Sequence, residues 1–152
     1  MPSITPSYLY TFVALIAVCS LLTISFTTYA EALRASSEMR QLKNLMDYVA
    51  AESTELLTLT SATNATSKAF LQMPTSIGHK QYWLRLRNDS DNTWLEGGLG
   101  NTPVEGTELH IFLPKEASAG GCYVGGYGAV YLKCYLNVSI PQLLLTNSGN
   151  GD

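Results

Sequence analysis

Few side chains in this 152-residue sequence are of the kinds that carry chemistry. The two histidines, His79 and His110, stand far apart and lack ligand-like spacing to Cys, Asp or Glu, so the close set of N and S donors that zinc requires is missing. There is no nucleophile elbow, P-loop or dinucleotide fingerprint. The run Gly120-Gly-Cys-Tyr-Val-Gly-Gly-Tyr-Gly128 is rich in glycine, but no helix follows it. A phosphate cradle needs a helix N-terminus there. The run reads as turns and close strand approach instead. The expectation is a non-enzyme with no catalytic residue, no metal ligand and no cofactor.

Three cysteines remain. Cys19 lies inside an apolar stretch and reads as a small buried hydrophobe. Cys122 and Cys134 lie close together in the C-terminal part. A disulfide between them would close a short loop and add about 2–3 kcal/mol by limiting the unfolded ensemble; two buried thiols are the other reading. The sequons Asn64-Ala-Thr, Asn88-Asp-Ser and Asn137-Val-Ser make Asn64, Asn88 and Asn137 candidate glycan sites, and with the cysteine pair they suggest an oxidising, extracytoplasmic setting. Trp83, Arg85, Arg87 and Trp94 are expected to form one aromatic and basic face of the first hairpin. That face is either a contact surface for a neighbouring subunit or a glycan, or cross-strand packing in which Arg stems cover Trp rings.

The elements that must position these residues fall into two kinds. From Met1 to Ala30 there is no Lys, Arg, Asp or Glu, and Leu9 to Phe26 is a near-continuous apolar run. At 1.5 Å per residue, Tyr8 to Tyr29 is long enough to cross about 30 Å of hydrocarbon. Tyr8, Tyr10 and Tyr29 flank it as interface anchors do. From Glu31 the pattern stays helical but becomes amphipathic, with Leu42, Leu45, Met46, Val49, Leu56 and Leu57 on one stripe. No Gly or Pro occurs between Ser7 and Met73, so one helix is expected over about 8–60. Its stripe needs a β-domain or neighbouring subunits to cover it.

Beyond Asn64 the period changes to two. Strands are expected at Ala69–Met73, Gln81–Asn88, Thr93–Glu96, Thr107–Leu113, Cys122–Val124, Ala129–Asn137 and Gln142–Leu145, with a hairpin at Asp89–Asn92 and a loop at Pro114–Gly121. The fold class is α+β: one long N-terminal helix followed by a small antiparallel β-sandwich. The chain divides into a hydrophobic transmembrane or filament-core segment (1–30), its amphipathic continuation (31–62) and an extracellular β-domain (63–152). The net charge of −3 gives no basic patch for nucleic acid, which is not an expected partner.

The leading segment has three readings. Thr28-Tyr-Ala30 before Glu31 resembles a signal cleavage site, although the apolar run exceeds the usual 7–15 residues of such signals and no positive region precedes it. A single-span anchor fits the length. The third reading comes from layout: the apolar run Tyr8 to Phe26, the stripe Leu42 to Val49, and the stretch Leu71-Gln-Met-Pro-Thr-Ser-Ile-Gly-His-Lys-Gln-Tyr-Trp-Leu-Arg-Leu86. In these the chain resembles archaeal type IV pilin-like and archaellin-like proteins, whose long N-terminal helix leads into a β-sandwich. Met1–Ser7 has no basic residue, where prepilins carry one beside the processing site, and the early glutamate of many pilin helices is absent.

The resemblance implies a structural subunit of a surface filament. It is anchored in membrane lipid before assembly and then polymerises helically with copies of itself. Leu9, Phe12, Leu15, Ile16, Leu21, Leu22 and Phe26 would carry assembly and membrane contact. The alternative is a single-span accessory protein whose β-domain binds a filament protein or an envelope protein such as an S-layer.

Overall fold

The computed structural model describes residues 5–104, 109–115 and 117–147. The chain forms two compact units that divide between Ser37 and Glu38. Helix α1, Thr5–Thr63, contributes to both. It is slightly longer than the 8–60 expected, because nothing in the sequence interrupts it. It ends where Asn64 turns to a φ of 52° and donates its N–H to the Thr60 carbonyl at 2.9 Å, a left-handed cap.

The second unit holds the core. Its part of α1 buries Leu42, Met46, Val49, Leu56 and Leu57, the stripe read from periodicity, while Leu45 is half-buried at its margin. Ser53 is buried among them, and its hydroxyl donates to the Val49 carbonyl at 2.6 Å. Among the described residues eight strands follow: β1 Ser67–Leu71, β2 Tyr82–Asn88, β3 Thr93–Leu99, β4 His110–Leu113, β5 Ser118–Gly120, β6 Cys122–Val124, β7 Val130–Asn137 and β8 Ile140–Asn147. They make two four-stranded sheets, in the orders β1-β7-β8-β5 and β4-β3-β2-β6. Inward residues alternate as the pleat demands: Tyr82, Leu84 and Leu86 on β2, Val130, Leu132 and Cys134 on β7, Leu143 and Leu145 on β8. Gly97 on β3 leaves room for the helix, since a Cβ there would meet the Met46 sulfur at 2.7 Å.

Several features differ from the sequence reading: β1 is Ser67–Leu71 rather than Ala69–Met73, β3 runs on from Glu96 to Leu99, and β8 extends beyond Gln142–Leu145 at both ends. The expected loop Pro114–Gly121 contains β5, which pairs with β8 in parallel, whereas every other strand pairing among the described residues is antiparallel. Three residues are too few to show a period. At Gly121 the chain leaves the first sheet and enters the second as β6, so β5 and β6 are one strand bent at a glycine. Thr107 and Glu108, the first residues of the expected Thr107–Leu113 strand, lie outside the described residues; from His110 on the strand is present.

The β7–β8 turn holds Val138 and Ser139 at φ of 49° and 73°. Both central residues of a type I′ hairpin turn need positive φ, which suits Asn and Gly. A β-branched valine there stores strain of order 1–3 kcal/mol.

Candidate functional site

Two surfaces contain the residues singled out from sequence. The first is the N-terminal part of α1. Leu9, Phe12, Leu15, Ile16, Leu21, Leu22 and Phe26 are all exposed, with Phe12 at 61%, Leu21 at 66% and Phe26 at 69%. Val13, Val18 and Ile24 are exposed as well, so the apolar surface runs all round the helix rather than along a stripe. A helix apolar on every face is stable only when surrounded by apolar material. Beyond the first turn its backbone donors are closed within the helix, and from Thr11 to Thr28 its serine and threonine hydroxyls are closed too. Thr11 donates to the Ser7 carbonyl at 3.0 Å, Ser20 to Ile16 at 2.8 Å, Thr23 to Cys19 at 2.8 Å, Ser25 to Leu21 at 2.8 Å and Thr28 to Ile24 at 2.6 Å. Thr27 donates to the Ile24 carbonyl at 2.9 Å. In hydrocarbon an unsatisfied hydroxyl costs several kcal/mol, and these local bonds remove that cost. By length and composition the helix is able to cross a membrane. Cys19, expected to be buried, is exposed on this surface, because it lies on a helix with no covering layer in the single chain.

The second surface is the outer face of the β4-β3-β2-β6 sheet. Register places Arg85 opposite Glu96 and Arg87 opposite Trp94, with Trp83 opposite Gly98. Trp83 lies flat over that glycine, where a Cβ would meet the indole at 2.8 Å, and is only 1% exposed. The Arg85 guanidinium sits 5.8 Å from the Trp83 ring centre. Glu96 ties the face together. One carboxylate oxygen accepts from Arg85 Nε at 3.1 Å and Nη2 at 2.7 Å, and the other accepts from Trp94 Nε1 at 2.7 Å. Arg87 lies 3.7 Å from that second oxygen. Burial pushes the Glu96 carboxyl up, but the Trp94 hydrogen bond and the two arginines outweigh it and hold the group below its ordinary value.

The sequence brought the two tryptophans and two arginines to one face, and the structure confirms that grouping. It missed Glu96. The signal was available: counting back from the Asp89–Asn92 turn sets Glu96 against Arg85. Because Glu96 answers both arginines, the face behaves as cross-strand packing, the less specific of its two readings.

A Glu96→Gln chain is expected to lose about 2 kcal/mol of stability near neutral pH, from weakened charge-assisted bonds at a mostly buried position. The folded carboxyl has a depressed pKa, so its contribution is present above the unfolded value and fades as pH falls through the folded one. Urea unfolding at pH 7 and pH 3 should therefore show the gap between wild type and variant closing in acid. A gap that persists unchanged would exclude the charge as its origin.

The expected Cys122–Cys134 disulfide is not made, and both are free thiols. Tyr123, the neighbour of Cys122 on β6, points into the core, so Cys122 points outward. Cys134 points into the core from the other sheet. Side chains on opposite sides of a sheet do not meet the Cβ spacing a disulfide needs. Partial desolvation raises the Cys122 thiol above its ordinary value although Arg85 opposes this.

The candidate glycan acceptors are all exposed: Asn64 at the helix cap, Asn88 at the end of β2 and Asn137 at the β7–β8 turn. His79 lies in a turn, and His110 packs edge-on to Phe112 at 5.8 Å between ring centres. Among the described residues no group of His, Cys, Asp and Glu is arranged to hold a metal. The glycine run forms corners and close approaches, as read from sequence: a Cβ on Gly125 would meet the Tyr82 ring at 2.6 Å.

Fold and surfaces together define an α+β protein with an unsheltered apolar helix and a small two-sheet domain. Compared with protein families, curated proteins and solved structures, the chain has no match.

Proposed function

We propose that the chain is a non-enzymatic structural subunit of an archaeal pilus-like surface filament, held in the membrane by its N-terminal helix and polymerising through it. The observation that carries this reading is the apolar surface around the first part of α1, with its hydroxyls closed on their own backbone. That surface needs lipid or sister helices. Burying a dozen large side chains supplies on the order of 20 kcal/mol before entropic costs. The β-domain then forms the outer wall, with Asn64, Asn88 and Asn137 open to glycan attachment.

A single-span accessory protein, whose β-domain binds an envelope or filament protein, is the second reading. It is supported by the length of the uncharged run Tyr8 to Tyr29, which suffices to cross about 30 Å of hydrocarbon once. Electron microscopy of native material separates the two. Helical filaments support the first, and dispersed particles in detergent support the second. A mature chain whose intact mass begins near Glu31 would sink both, since the helix would then be a removed signal.

A further inference from the structure

The outer face of the β1-β7-β8-β5 sheet differs from the balanced face around Glu96. Lys68 on β1 stands directly opposite Lys133 on β7. Like charges opposed across a strand pair repel. No Asp or Glu occurs on any strand of this sheet, and neither lysine has a carboxylate partner among the described residues. Beside them lie aromatic rings. Phe70 is 54% exposed and meets Tyr131 edge-on at 5.4 Å, and Lys133 Nζ sits 5.5 Å from the Tyr135 ring centre. This is a basic, aromatic face with its charge unanswered.

The same unit carries the complement. Between Lys43 and Lys68 the sequence has Asp47, Glu52 and Glu55 and no cation. Asp47 and Glu55 are exposed two turns apart on the side of α1 that faces away from the core, and Glu52 is half-buried beside Glu55. Tyr48 and Leu59 are exposed with them. None of the three acids has a cationic partner among the described residues.

We propose that the acidic face of α1 around Asp47 and Glu55 in one copy docks on the Lys68–Lys133 face of a second copy. Phe70 and Tyr131 meet Tyr48 and Leu59 in the same contact. The two surfaces are different, so the contact is head-to-tail and leaves a free face at each end of the pair. It adds to the assembly reading a lateral contact between the helix of one second unit and the sheet of another, rests on that reading for its setting, and involves none of the apolar N-terminal side chains.

The test uses the full chain in detergent micelles holding one chain each, so that the apolar helix is already covered, with light scattering to follow mass. Wild type is expected to associate at about 50 mM salt and to lose the larger species at about 500 mM, since exposed charges are screened. K68E/K133E and D47K/E55K should each weaken association at least tenfold, and combining all four substitutions should restore it. Failure of the fourfold chain to recover, with each variant folded by circular dichroism, overturns the proposal even if filaments exist. Charge-dependent pairing in micelles, with no filaments in native material by electron microscopy, would instead sink the assembly reading and leave this one standing. Retention of wild type on an acidic polysaccharide column, lost in K68E/K133E, with no self-association, would also overturn it and assign the lysine face to a glycan.

Discussion

A Val18→Asp chain is expected to leave the membrane fraction and form no filaments. Val18 lies near the middle of the uncharged run Tyr8 to Tyr29, and its side chain is exposed. An aspartate at the centre of a spanning helix is about 3 kcal/mol less favourable than an aliphatic residue, roughly a 100-fold loss in partitioning. In a bundle of sister helices the penalty is at least as large, because each copy buries its own unpaired carboxylate. Fractionation followed by immunoblotting reads the effect. Thr58→Asp, at an exposed polar position of the second unit, is the control and should stay with the membrane. If the two variants distribute alike, the N-terminal helix is not what holds the protein.

Gly121→Ala should be the most damaging single methyl in the β-domain. Gly121 has a φ of 112°, where L side chains are strained. A Cβ built there would stand 2.2 Å from the Leu145 carbonyl oxygen, a backbone atom that has no rotamer by which to yield. The position is also where β5, parallel to β8, becomes β6, antiparallel to β2, and its carbonyl accepts the Leu86 N–H at 2.9 Å. Any relief of the clash must separate the two sheets at their shared strand. Backbone strain and overpacking together cost about 3 kcal/mol or more. Urea unfolding followed by the fluorescence of Trp83 and Trp94 should show a midpoint lower by about 1 M or more. Gly100→Ala isolates the steric part: its φ of 126° is equally unsuited to alanine, yet nothing lies within 4 Å of the added carbon. Gly100→Ala should cost only about 1 kcal/mol. Equal losses for the two would show that the crowding at Leu145 is relieved elsewhere.

Local period carried most of the fold into the sequence. The helix was readable because 3.6-residue spacing and the lack of Gly or Pro persist over many turns. Five of the six stripe residues are buried in the core, and Leu45 is half-buried beside them. The longer strands were readable because alternation over seven or eight residues leaves one side apolar, as on β2 and β7. The site was only partly legible. Trp83, Arg85, Arg87 and Trp94 fall on one face by counting, and so does Glu96, two residues from Trp94, but its bonds to Arg85 and Trp94 and its closeness to Arg87 are seen only in the folded face.

By itself, then, the sequence determined an uncharged helix too apolar for water, its amphipathic continuation and a run of alternating strands, since each follows from neighbours a few residues apart. Tertiary structure alone decided that Ser118–Gly120 is a strand, that Cys122 and Cys134 point to opposite sides, and that Lys68 meets Lys133. Each of those outcomes depends on which distant strands pair and which way a bent strand turns its side chains. Backbone hydrogen bonding between remote segments fixes such choices, and no period within either segment records them.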